Sequence, residues 1–367
     1  MKTIALILDR FDPNRGGLES YACFLLKRFL KKQGEALLLT GPSPVNVPPG
    51  VECISIPGKG PDFYKGASKQ LLHLRESHLV LSMRHPGEGT DVFLPLGGLF
   101  YDALEARRKV ESAWKRLPSR LVRFASTRTR FFLGEERKFF QKGEGLVLCS
   151  SPLVANRIQK RFPLFRGRIE VTGLPVNPHQ FRIPEPGEAE SLRASLHLPP
   201  KPALLLLWVG NDPKRKGLKQ AFTVLSRLRK RKLEAYLLCL GHHLPPRFTK
   251  SPYCIPRWSP DPSLFYRASD LLILPTLEDN YSLSVLEALA CGLPVVTTLA
   301  NGAHVHLENP VIGRVVSDPL DIEGLDAAVL SLLQPNQQAP ILRRREVVSS
   351  FEDPHFARIW KVLNSKT

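Results

Sequence analysis

Two carboxylates stand out in the stretch 271–298, LLILPTLEDNYSLSVLEALACGLPVVTT: Asp279 and Glu287. LLILP is an unbroken apolar run, as in strands buried on both faces of a parallel sheet. Ser282 is a helix start signal, Gly292 a stop signal, and Pro294 lies just beyond. Leu283, Leu286 and Ala290 fall along one helical face, which would pack on the sheet. PVVTT resumes the sheet. The fold needs neither carboxylate. The loop bearing Asp279 ends at a helix N-terminus, whose free N–H groups form a natural phosphate site. Open α/β sheets bind ligands at the carboxyl ends of their strands, where this loop must sit. A carboxylate holds phosphate poorly but accepts hydrogen bonds from sugar or ribose hydroxyls. The implied ligand is a diphosphate on the helix end, with hydroxyl-bearing rings on either side.

A second cluster, NDPKRKG at 211–217, follows the apolar run ALLLLWVG. Arg215 offers a planar fork and Lys216 a point charge. Side by side they can neutralise a diphosphate and stabilise charge on a departing nucleoside diphosphate. In a chain with 52 Lys and Arg, a solvated basic turn is the competing reading. Gly16 and Gly17 follow the first apolar run and allow close backbone approach to a ligand, or form an ordinary turn. Trp258 reads as packing, His242 and His243 as surface loop residues, and His304 and His306 have no acidic or Cys partner at metal-ligand spacing.

The 279–298 stretch resembles the signature of retaining glycosyltransferases with two Rossmann-like domains, the GT-B architecture of the glycogen-synthase-like, group 1 (family 4) type. There a Glu, seven residues and a second Glu precede an Ala-rich turn and Gly-x-Pro-Val-Val; here Asp279 stands at the first acidic position and Glu287 at the second. The resemblance implies that Glu287 holds ribose, that Asp279 faces the donor sugar, and that Arg215 and Lys216 serve the reaction. It places Gly16, Gly17, Gly241, Arg257, Ser282, Leu283 and Ser284 around the donor, with Gly241 and Arg257 near the base. No DxD-type motif follows a strand in a metal-binding context, so we expect a metal-free reaction, with Arg215, Lys216 and the helix dipole in place of a divalent cation, and no cofactor, since the nucleotide-sugar is a substrate. His85, Gly97 and Gly98, in loops after strands, are the acceptor candidates, with no protein base named. Within the family, the spacing of these runs and of NGAHVH is most similar to the lipopolysaccharide core glucosyltransferases.

The remaining residues must build the elements that hold these groups. The 367-residue chain, 43 % hydrophobic, can bury two cores. We expect an α/β protein of two Rossmann-like domains facing a cleft. The N-terminal acceptor domain would span 1–175 and the C-terminal nucleotide-sugar domain 176–350. A Pro- and Glu-rich linker at 175–200 marks the boundary, and a helix in 351–367 would cross back. The run Thr3–Leu8 stops at Asp9 and Arg10, so it reads as a first strand rather than a signal peptide. No run reaches the length of a membrane span. Six scattered cysteines suit a reduced cytosolic protein.

The net charge of +18 favours polyanions. Residues 101–142 carry twelve Lys/Arg against five acids, interleaved with Trp114, Leu117, Leu121, Phe124, Phe131 and Phe132. This pattern suits an anionic membrane surface; RNA, or a solvated helix with one core face, would use the same pattern. The combined expectation is a cytoplasmic transferase at the inner face of the membrane, moving glucose from UDP-glucose to a lipid-linked glycan without nucleic acid. Two alternatives stay open: a sugar-nucleotide epimerase of the same architecture, and a non-catalytic binding protein.

Overall fold

A computed structural model describes residues 3–13, 17–74, 76–87, 89–110, 126–242, 244–333, 339–348 and 354–365. The chain divides into two compact units, Met1–Leu174 with Glu352–Thr367, and Pro175–Phe351. In the first unit the apolar runs become β1 (Thr3–Leu8), β2 (Glu35–Thr40), β3 (Glu52–Ser55), β4 (His78–Ser82), β5 (Val92–Phe93), β6 (Leu146–Cys149) and β7 (Arg168–Val171). Among the described residues they form one parallel sheet in the order β3-β2-β1-β4-β5-β6-β7. VFLPL supplies only the two residues of β5 before turning at Leu96 and Gly97.

The second unit repeats the plan. It contains β8 (Leu204–Val209), β9 (Ala235–Leu240), β10 (Cys254–Arg257), β11 (Leu271–Leu274), β12 (Val295–Thr298) and β13 (Gly313–Val316). Their order is β10-β9-β8-β11-β12-β13, again parallel. β11 and the central residues of β8 are fully buried, as strands covered by helices on both faces must be. Each sheet reverses its strand order once, at β1/β4 and at β8/β11, and such a reversal opens a crevice at the carboxyl ends of the two strands.

The final helix, Pro354–Ser365, lies in the first unit, where Phe356 and Trp360 set their rings 4.9 and 5.8 Å from that of Phe29. Of the basic segment, the helices Phe100–Val110 and Thr127–Gln141 are described; Trp114, Leu117, Leu121 and Phe124 lie outside the described residues. The helix Thr127–Gln141 turns Phe132, Phe139 and Phe140 into the core, while Arg128, Arg130, Arg137 and Lys138 stay exposed. Here the aromatic stripe is a core face, because a helix covering a sheet needs the same apolar period as one lying on a membrane.

The stretch read as a linker also differs. Its second half folds as the helix Glu188–Ser195 and is anchored by Arg193, which is 1 % exposed. Arg193 donates to Ala268 O and Ala203 O at 2.8 Å and to Asp270 Oδ2 at 2.6 Å. The same oxygen accepts the Leu205 amide at 2.7 Å. Arg193 thereby joins this helix to the starts of β8 and β11. Replacing Arg193 by Met should leave the Ala268 and Ala203 carbonyls without their buried donor and Asp270 with only Lys201 and the Leu205 amide, lowering the unfolding free energy of the second unit by about 1–3 kcal/mol, measured by urea titration. A change within about 0.5 kcal/mol, the range of ordinary surface substitutions, would show that the anchor is dispensable.

Candidate active site

The β8/β11 crevice is built by two loops. Gly210–Gly217 follows β8 and Pro275–Ser282 follows β11. They touch because position 217 has no side chain: its φ is +70°, and a Cβ there would lie 1.9 Å from Pro275 O. Arg215 O then accepts the Leu277 amide at 2.8 Å and the Thr276 hydroxyl at 2.9 Å. The buried Trp208 indole donates to Lys216 O at 3.0 Å. The backbone carrying the two cations is therefore fixed from both loops and from β8 beneath.

The side chains converge on Asp279. Its Oδ2 receives the Lys216 ammonium, lies 3.6 Å from Arg215 Nη1, and accepts the Ser282 hydroxyl at 2.5 Å. Lys216 Nζ also donates to Ser282 Oγ at 3.0 Å, and Arg215 Nη1 to Glu278 O at 2.9 Å. Burial alone would push the Asp279 carboxyl up. The two cations and the two hydrogen bonds outweigh that and pull it down to about 2. Ser282 occupies the helix start as its residue type suggests, but its hydroxyl makes no capping bond. The Ser282 amide is instead satisfied by Asn301 Oδ1 at 3.3 Å, and Asn301 Nδ2 donates to Thr297 Oγ1 at 3.0 Å. Asn301 was not read from the sequence, although Asn-Gly after a strand is a recognisable cap signal.

Glu287 sits on the following helix, Leu283–Ala290, partly exposed. Tyr266 donates to its Oε2 at 2.5 Å. Burial raises the Glu287 carboxyl, with the Tyr266 hydrogen bond and the Lys216 charge opposing. Leu283 is half-buried at the start of the same helix, and Ser284 Oγ is buried without a hydrogen-bond partner among the described residues. Across β8, the Gly241 amide bonds Arg257 O at 3.1 Å, and the Asn211 side chain accepts the His242 amide at 3.0 Å. Arg257 Nη1 returns to the carbonyl of Pro256. Trp258 is 55 % exposed with its ring 5.1 Å from that of His242, so it is a surface residue at the strand ends rather than core packing. His306 bonds the Tyr281 hydroxyl at 2.7 Å and His304 bonds Asn301 O. Among the described residues no group of three or more His, Cys, Asp or Glu is placed to hold a metal ion.

In the first unit, Gly16 lies outside the described residues, and Gly17 opens the helix Gly17–Lys31 and is exposed. Asp9, after β1, pairs with Arg84, after β4, at 3.0 Å across the other switch point. His85 departs from the open loop read in the sequence. It is 9 % exposed, stacked on Phe132 at 4.0 Å and edge-on to Tyr64 and Phe100. Burial, with Arg84 and Arg128 nearby, lowers its imidazole to about 3, so it is neutral. Gly97 is exposed with open space where a Cβ would be, and Gly98 is buried with φ +75°.

Two parallel sheets of Rossmann order, with a cationic crevice at the switch point of the second, define a GT-B fold. The solved structure of WaaG, a glycosyltransferase involved in lipopolysaccharide biosynthesis, superposes with a TM-score of 0.77 over 98 % of each chain at 20 % identity. Anabaena Alr3699/HepE in complex with UDP-glucose superposes with a TM-score of 0.67 over 100 % of this chain and 99 % of that one, at 14 % identity. Residues 203–335 match the family described as glycosyl transferases group 1. That matched segment holds the whole β8/β11 site. In sequence the chain is 24 % identical to the lipopolysaccharide glucosyltransferase WaaG of Escherichia coli (strain K12) over 231 residues, 57 % of this chain and 58 % of that protein. The matched stretch therefore spans less than two thirds of that relative's length.

The Asp279 cluster has a pH signature. Its folded carboxyl lies at about 2, below the ordinary 3.8. The ionised form is thus stabilised by folding, fully above pH 4, and the contribution is lost as pH falls towards 2. At about 1.4 kcal/mol per tenfold change in proton affinity, it amounts to about 2 kcal/mol. Asp279→Asn should be less stable than the parent by that order at pH 7, with the two curves converging near pH 2 in acid unfolding followed by circular dichroism. A gap that stays constant with pH would refute the electrostatic account.

Proposed function

We propose that the protein is a retaining glycosyltransferase that moves a hexose, glucose by preference, from UDP-glucose to a lipid-linked glycan such as lipopolysaccharide core. The observation that carries this reading is the convergence of Arg215, Lys216 and Ser282 on one point beside a helix start. Arg has five donors and Lys three, so each keeps donors for a diphosphate after its contacts with Asp279 and the loop. The crevice is preorganised for negative charge that grows on the leaving diphosphate. The bond between the anomeric carbon and the diphosphate oxygen breaks, and the acceptor oxygen bonds to the same carbon on the same face. The acceptor proton passes to the leaving phosphate, so no protein base is required. Arg215 and Lys216 supply the countercharge, and the reaction needs no divalent cation. Glu287 accepts the ribose hydroxyls, while the exposed Trp258 and His242 rings offer a stacking surface for the base.

The acceptor reading assigns lipid-linked substrates, and the surface charge supports it. The exposed Arg128, Arg130, Arg137, Lys138 and Lys142 give the first unit a cationic face. No described helix is long and apolar enough to cross a membrane. We place the protein at the cytoplasmic face, held by electrostatic attraction of about 1 kcal/mol per engaged cation.

Incubation with UDP-glucose should release UDP, slowly to water and faster with a lipid-linked glycan. Lys216→Ala should lower kcat at least a hundredfold, the usual cost of removing one preorganised donor to a developing anion. Unchanged turnover in that variant, or no release from any nucleotide-sugar, would defeat the transferase reading. In flotation assays the protein should rise with anionic vesicles and detach as salt increases; equal binding to neutral vesicles would remove the electrostatic attachment.

A further inference from the structure

Glu287 presents an asymmetric carboxylate. Oε2 is engaged by Tyr266 at 2.5 Å, and among the described residues Oε1 accepts no protein hydrogen bond. A carboxylate on an eight-residue helix rotates about its side-chain torsions unless something holds it. Tyr266 is suited to hold it. It is fully buried in the short helix Ser263–Ala268, with the Phe181 ring edge-on at 5.5 Å and 90°. Burial and the neighbouring carboxylate raise its phenol well above the usual range, so it keeps its proton and donates.

The support extends one step further back. Arg344 donates to Phe181 O at 2.9 Å, to Pro178 O at 3.2 Å and to Ala290 O at 2.7 Å. One guanidinium therefore ties the segment behind Tyr266 to the last residue of the helix that carries Glu287. The segment whose Phe181 packs on Tyr266 and the helix that carries Glu287 are thus tied to the same Arg344 side chain. Nothing in this arrangement is needed to cover the sheet: a phenylalanine at 266 would bury the same ring. Among the described residues the hydroxyl has one partner, Glu287, which lies beside the Lys216 and Asp279 cluster.

We propose that Tyr266 is the positioning residue of the ribose contact: its phenol fixes Oε2 of Glu287 so that Oε1 meets the ribose diol of the donor at a set angle. This rests on the nucleotide-sugar reading above, in which Glu287 accepts ribose hydroxyls. The chemistry it selects is a ribonucleotide over its 2′-deoxy counterpart.

The test compares UDP with 2′-deoxy-UDP by calorimetric titration of the full chain, in the parent, Tyr266→Phe, Glu287→Gln and the double variant. The parent should prefer UDP by about tenfold, the worth of one hydrogen bond to a charged group. Tyr266→Phe should reduce that preference to about twofold or less by weakening UDP alone. In steady state it should raise KM for UDP-glucose about five- to tenfold with kcat nearly unchanged. The double variant should be no worse than Glu287→Gln, since the two residues act as one unit. The nucleotide ratio is read on folded protein, so partial loss of stability does not move it. If Tyr266→Phe weakens both nucleotides equally, Tyr266 is a packing residue and the inference falls while the ribose role of Glu287 stands. If Glu287→Gln itself leaves the ratio unchanged, the ribose assignment fails first, and the positioning role with it.

Discussion

Asp279 is a buried carboxylate that must stay charged, and the site depends on how that is achieved. An isolated carboxylate in such a place would take up a proton. Lys216, Arg215 and the Ser282 hydroxyl prevent this by meeting on one of its oxygens. The dependence runs both ways. Arg215 and Lys216 are adjacent on a tight loop and repel each other; Asp279 is the counterion that lets both point into one crevice. The contact also closes the two central loops of the second sheet, since it links the segment after β8 to the segment after β11.

That mutual dependence explains the small residues and buried polar groups around it. Gly217 has to be glycine for the loops to approach, because any Cβ would collide with Pro275 O. The carbonyl of Arg215 is occupied by Leu277 and Thr276, and that of Lys216 by Trp208, so the loop cannot relax away from the carboxylate without leaving buried donors unpaired. Asn301 fixes the far side by holding the Ser282 amide. The result is a set of cations already oriented before any ligand arrives, so little reorganisation remains for binding.

Much of this was legible in the residues, and the exceptions have physical causes. Most of the long apolar runs became strands, as a parallel sheet covered on both faces requires; YACFLL at 21–26 lies instead in the helix Gly17–Lys31, and VFLPL gives only the two residues of β5. Arg215, Lys216, Asp279 and Ser282 were legible because glycine, charge and helix-start signals coincide at strand ends. The helix Thr127–Gln141 was ambiguous in sequence: amphipathic spacing is the same for a core face and a membrane face, and Phe132, Phe139 and Phe140 take the core while the basic residues stay exposed. The helix Glu188–Ser195 was hidden by the Pro- and Glu-rich composition around it, its stability coming from Arg193 reaching Asp270, far along the chain. Trp258 was read as packing on its type alone, and only its place at the end of β10 exposes it. Tyr266 gave no local signal, since its bond to Glu287 exists only after two helices pack.

The two carboxylates that first drew attention therefore differ in kind. Asp279 is one methylene shorter than the Glu of the resembled signature, and its Oδ2 is given over to three protein donors. Glu287 has the longer side chain, lies partly exposed, and is held by one oxygen only. A carboxylate held between two cations stays charged and fixes their position, so its charge is spent on the protein's own groups. One with a single fixed oxygen is oriented yet unsatisfied, which is the state a hydroxyl-bearing ligand can complete. Length, burial and the charge of their partners thus separate the two acids: Asp279 is committed to the protein's own cations, while Glu287 is oriented by a neutral phenol.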